Sequence, residues 1–111
     1  MAATGGFRIF GDLEREVMVI LWREGSGTAR SVQAQIGRRR LAYTTVLTVL
    51  ARLMHKGLLA RGARRPDGAA RSYVYTPSVT RTELLQQAIH RLEDELGATE
   101  AERRLAAALQ G

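Results

Sequence analysis

The 111-residue sequence contains no cysteine, which excludes a disulfide framework, a thiolate metal site and a thiol redox switch. Lysine occurs once, at Lys56, so almost all of the positive charge is arginine. Aromatic residues are only 5% of the chain, and a core built from Leu, Val, Ile and Ala is expected. No apolar run approaches the ~20 residues that cross a bilayer, and Met1 to Phe10 lacks the apolar stretch of a secretory signal. The expectation is a soluble, cytoplasmic protein with no membrane insertion. His55 and His90 have no partner at ligand spacing, so no metal site is expected. There is no nucleophile motif and no phosphate-cradling Gly-rich loop. Glu93-Asp94-Glu95 falls on an expected solvent face, so neither a catalytic site nor a cofactor is expected.

What the chain does have is 45% hydrophobic residues, enough to pack one domain, and a net charge of +6. The charge is unevenly spread. Residues 1–79 carry thirteen Lys/Arg against five Asp/Glu, a net +8, whereas residues 80–111 carry four Arg against six Asp/Glu, a net −2. The abundance of Arg and Ala is also what a GC-rich coding genome produces, so the distribution is more informative than the total. It suggests a polyanion-facing module at 1–79 joined to a separate association element at 80–111.

Apolar periodicity predicts a first helix from Leu13 to about Trp22, capped by Asp12, with Leu13, Val17, Ile20 and Leu21 on one face and Trp22 as a lid on the core. Gly25-Ser26-Gly27 breaks it. Thr28 opens a short second helix with Ala29, Val32 and Ile36 on one side, ending at Gly37, and Arg38-Arg39-Arg40 follow in a turn. The third helix, about Tyr43 to Lys56, divides most sharply. Val46, Leu47, Val49, Leu50, Leu53 and Met54 cluster on one side, and Thr44, Thr45, Thr48, Ala51, Arg52 and His55 on the other. The segment contains no acidic residue, whereas an ordinary solvated helix face mixes both signs. Strands over Leu58–Arg64 and Arg71–Thr76 flank a Pro66-Asp67-Gly68 turn. Capping-box patterns at Thr80–Glu83 and Thr99–Glu102 start two further helices. The first of these carries a seam of Leu85, Ile89, Leu92 and Leu96.

This order gives a mainly α fold with a small β-hairpin wing: a winged helix-turn-helix domain followed by C-terminal dimerisation helices. The third helix is then the recognition helix. Its exposed side offers Tyr43, Thr44, Thr45, Thr48 and Arg52 to base edges, with Arg52 suited either to a phosphate or to a guanine. Arg38, Arg39 and Arg40 in the turn, His55 at the far end of the helix, and Arg64, Arg65 and Arg71 around the wing suit the phosphate backbone or minor groove. The functional expectation is a sequence-specific repressor acting as a homodimer on a palindromic stretch of double-stranded DNA. The alternative is a winged-helix interaction or assembly module, because fold does not fix function.

Several motifs resemble the BlaI/MecI/CopY, or penicillinase-repressor-type, bacterial regulators. They are Gly11-Asp12-Leu13-Glu14 with Val17-Met18 and Leu21-Trp22, then Leu41-Ala42-Tyr43-Thr44-Thr45-Val46, and Thr48-Val49-Leu50-Ala51-Arg52-Leu53. Lys56-Gly57-Leu58 and Tyr73-Val74-Tyr75-Thr76-Pro77 complete the set. The resemblance covers about residues 9–80, and the segment from Thr80 onward does not follow the pattern. It implies a dimeric repressor with Thr44, Thr45 and Thr48 on the recognition helix, and release through cleavage by a membrane-bound sensor protease. The copper-responsive mode of the family uses cysteine ligands, which this chain lacks.

Overall fold

The computed structural model describes residues 10–36, 41–64 and 73–110. The elements run α1 (Asp12–Glu24), α2 (Ala29–Gln35), α3 (Tyr43–His55), β1 (Leu59–Arg64), β2 (Tyr73–Pro77), α4 (Arg81–Leu96) and α5 (Glu100–Gln110).

Local chemistry sets most boundaries. The cap of α1 is Gly11, one residue before the expected Asp12. The Gly11 N–H donates to Glu14 Oε1 at 2.8 Å, so the carboxylate three residues on satisfies a donor that the helix leaves open. Asp12 therefore sits inside the first turn, where its charge still favours the helix dipole. At the other end α1 passes Trp22 and stops at Gly25, whose φ of +87° suits glycine. Thr28 caps α2 as expected: its Oγ1 accepts from Ser31 N at 3.1 Å, and its own N–H donates to Ser31 Oγ at 2.9 Å. α3 closes with Gly57 at φ +78°. Gly57 N–H donates to the Met54 carbonyl and Leu58 N–H to the Leu53 carbonyl, both at 2.9 Å, the paired bonds of a Schellman stop. Leu58 is thereby committed to the helix end, and β1 starts one residue later than expected.

Residues 10–80 form one compact unit. Its core is Val17, Met18 and Leu21 of α1, Val32 of α2, and Val46, Leu50 and Leu53 of α3, all fully buried, closed by Leu58, Leu59 and Tyr75. Of the face expected on α1, Leu13 is only half-buried, while Met18 is buried completely. The reason is that α1 packs against α2, α3 and β2 together, which widens its apolar stripe. Trp22 closes one edge: its Nε1 donates to the Val79 carbonyl at 2.9 Å, and its ring meets Phe10 edge-on at 6.3 Å.

β1 and β2 pair antiparallel, with Leu59 opposite Pro77 and Arg61 opposite Tyr75, and an irregularity between Arg61 and Arg64. A third piece of backbone joins them. Gly27 N–H donates to the Tyr75 carbonyl at 3.0 Å, and Tyr75 N–H to the Gly27 carbonyl at 2.7 Å. The residues read from sequence as a helix breaker thus also supply a one-residue strand.

α4 and α5 belong to a second unit. Gly97, at φ +64°, ends α4 with the same Schellman pair, to the Asp94 and Glu93 carbonyls. The box at Thr99 forms as expected, Thr99 N–H donating to Glu102 Oε1 at 2.9 Å and Glu102 N–H to Thr99 Oγ1 at 3.2 Å. Arg103 ties α5 to α4 through Asp94 at 3.3 Å and Glu93 at 3.7 Å. No helix among the described residues is long and apolar enough to cross a membrane.

Candidate nucleic-acid interface

α3 buries Val46, Val49, Leu50 and Leu53 and leaves Thr44, Thr45, Thr48, Ala51, Arg52 and His55 exposed. The split matches the two faces read from periodicity, with Leu47 and Met54 half-buried at the border. Tyr43 is also half-buried, at the first residue of the helix. Thr48 Oγ1 donates to the Thr44 carbonyl at 3.0 Å. Its proton is thus used within the helix, and toward an outside partner the hydroxyl oxygen is an acceptor beside an exposed methyl.

Thr45, Thr48, Val49 and Arg52 form one wall of an open cleft of about 360 Å³, and Gly11, Asp12, Leu13 and Glu14 form the other. The start of α1 is therefore beside the acid-free face of α3. Its Glu14 carboxylate is tied down: the side chain is one-tenth exposed and pairs with Lys56 Nζ at 2.8 Å. Burial pushes the Glu14 pKa up. The Lys56 and Gly11 hydrogen bonds and the charges of Lys56 and Arg52 outweigh that, and hold it below the ordinary value of about 4.5.

Two arginines that sequence reasoning did not single out lie on tyrosine rings. Arg30 of α2 is 4.2 Å from the Tyr43 ring centre, and Arg61 of β1 is 4.1 Å from that of Tyr73. Neither pair has a local spacing signal, since each partner comes from a different element. The Glu14–Lys56 pair, 42 residues apart, was equally invisible; only the Gly11-x-x-Glu14 cap had a readable spacing. Arg38, Arg39, Arg40, Arg65 and Arg71, and the side chain of Arg64, lie outside the described residues. Of the expected seam, Leu85, Leu92 and Leu96 are exposed and Ile89 is half-buried.

A profile of the penicillinase repressor family matches residues 10–111. The chain belongs to that family. The match runs past Thr80, so the family pattern extends beyond the residues 9–80 to which the quoted motifs confined it. Periodic helices such as α4 and α5 carry few distinctive residues by which a single sequence displays such kinship. The chain is similar to the transcriptional regulator BlaI of Mycobacterium tuberculosis, at 49% identity over 77 residues, which are 68% of this chain and 52% of that protein. The chain thus spans about half the length of the curated relatives it matches. The solution structure of the DNA binding domain of the repressor BlaI matches with a TM-score of 0.55 at 28% identity, covering 68% of this chain and 87% of that one. RosR of H. salinarum matches with a TM-score of 0.55 over 92% of this chain and 91% of its own, and at 15% identity it shows the fold alone. The fold of this penicillinase repressor family member is a winged helix-turn-helix, with α2 and α3 as the helix pair and the β1–β2 hairpin as the wing.

Proposed function

We propose that the chain is a sequence-specific, DNA-binding transcriptional repressor that acts as a homodimer on a palindromic operator and has no enzymatic activity. One observation carries the reading: the outward face of α3 is exposed and free of acid, and it offers the hydroxyls of Thr44, Thr45 and Thr48 beside Arg52 and His55. Family membership and the likeness to the BlaI DNA binding domain support it. Thr44, Thr45 and Thr48 are the base readers, with Thr48 accepting from an adenine or cytosine amino group and its methyl meeting a thymine. Arg52 and His55, near the C-terminal end of α3, serve the phosphates, together with the arginines of the turn and wing. The exposed leucines of α4 and the half-buried Ile89 are the dimer seam. Operation in the cytoplasm and release by a membrane-bound sensor protease belong to the same reading, through the family.

Selection of bound duplexes from a random DNA pool at near-physiological salt tests it. One enriched inverted repeat is expected, with half-sites about 34–36 Å apart or a multiple of that. Thr48→Ala should then lose about 1–3 kcal/mol of discrimination at one base position. A folded protein that enriches nothing overturns the reading in favour of an assembly module.

A further inference from the structure

We infer that Arg30, whose guanidinium lies over the ring of Tyr43, is a phosphate-contacting residue of the DNA interface, and that Tyr43 is its platform and not a base reader. The inference rests on the DNA-binding reading above and adds a residue and a division of labour to it.

Arg30 is exposed and is the second residue of α2, the first helix of the helix-turn-helix pair. Tyr43 is the first residue of α3, immediately before the exposed Thr44. The 4.2 Å stack between them therefore places a cation at the end of the recognition helix that meets base edges. The first helix of such a pair crosses the DNA backbone, so a cation at its N-terminal turn is where a phosphate is met. Several other basic side chains are engaged differently. Arg15, Arg23, Lys56, Arg103 and Arg104 each pair with a carboxylate. Among the described residues Arg30 forms no ion pair, and an aromatic face orients it instead.

That difference matters chemically. A carboxylate partner cancels the charge and takes up N–H donors, so a phosphate must displace it. A ring leaves the charge uncancelled and supplies no acceptor oxygen to the N–H donors, so their fork remains available to two phosphate oxygens. The stack also restricts a side chain with many rotamers, so less ordering remains for the moment of binding. Tyr43, half-buried with one face covered, has correspondingly little ring left to offer a base.

The test uses the purified full chain and a mixed-sequence DNA duplex, because a phosphate contact is indifferent to sequence. Arg30→Ala should flatten the slope of log affinity against log salt by about 0.9, so that a fourfold salt increase weakens it about 3.5-fold less than the wild type. Its loss of affinity should be the same on any sequence. Arg104→Ala, which removes the same charge from α5, should leave the slope unchanged. Tyr43→Phe keeps the ring, and should retain wild-type affinity and sequence preference. Tyr43→Leu should weaken binding, and adding it to Arg30→Ala should weaken binding no further. Arg30 is exposed, so Arg30→Gln folds and gives the same slope even if Tyr43→Leu does not fold. A wild-type protein that binds no duplex overturns the DNA reading and this inference with it. A wild type that binds while Arg30→Ala keeps its slope overturns this inference alone, as does a changed base preference in Tyr43→Phe.

Discussion

Residues 10–80 and residues 81–110 are both amphipathic by sequence, yet they use their apolar residues in opposite ways. Within 10–80 the apolar positions of α1, α2, α3 and the hairpin converge on one core. In 81–110 only Leu84 is buried among the large apolar residues, and Leu85, Leu92, Leu96, Leu105 and Leu109 are exposed by 40–79%. A two-layer unit can close a core on itself, whereas two consecutive helices with leucines turned outward cannot. Exposed leucines at the spacing of Leu85, Leu92 and Leu96 are what the proposed dimer seam requires, whereas the 10–80 unit encloses its own apolar residues.

The sharpest way to break this contrast is to truncate one leucine on each side of it. Leu50→Ala, in the core of 10–80, should cost about 2–5 kcal/mol in denaturant melts, through lost burial and the cavity left behind. Leu96→Ala should leave that unit's stability unchanged; a comparable cost at Leu96 would erase the distinction. Ile89→Arg addresses the proposed dimer seam directly. Sedimentation should show monomers, and operator binding should fall, while the circular dichroism of the helices persists. A tight dimer surviving the arginine would place the interface elsewhere.

A smaller effect is expected at Gly27, where backbone from the α1–α2 connection pairs with β2. A Cβ there would lie 2.9 Å from Ser31 Oγ and 3.1 Å from Leu21 Cδ2. Gly27→Ala should therefore destabilise the unit by about 1–3 kcal/mol, as overpacking does. Thermal melts of the alanine variant matching wild type would mean that Ser31 and Leu21 yield freely. The smallest effect is electrostatic. Glu14→Gln keeps the capping geometry but removes the ion pair to Lys56, a loss of about 1 kcal/mol given that Lys56 is partly exposed. Because folding lowers the Glu14 pKa, its charged form stabilises the native state fully above the ordinary value of about 4.5, and that stabilisation is lost as pH falls through the folded value. Urea melts should show the gap between Glu14→Gln and wild type at neutral pH and its closure in acid. A gap independent of pH would assign the effect to packing.

Much of this was readable in the chain. The apolar spacing of Val46, Val49, Leu50 and Leu53 announced the buried face of α3, and the missing acids announced its outer face. Thr28 and Thr99 announced their helices through local side-chain chemistry. These features are legible because they depend on residues three or four apart, which a helix brings together whatever surrounds it. Even so, the cap of α1 was read one residue late, since Asp12 and Glu14 both supply carboxylates and only the folded backbone selects which one reaches back.

From residue order alone came the succession of helices and strands, the core-facing residues of α2 and α3, the acid-free face of α3 and the outward leucines of α4, all consequences of short-range periodicity. Tertiary structure alone decided that Gly27 bonds to Tyr75, that Lys56 neutralises Glu14, and that Arg30 and Arg61 rest on Tyr43 and Tyr73. Each of these joins residues from different elements, and their meeting depends on how α1, α2, α3 and the hairpin pack around one core. No spacing along a single chain encodes that packing, because many sequence separations are compatible with the same contact in space.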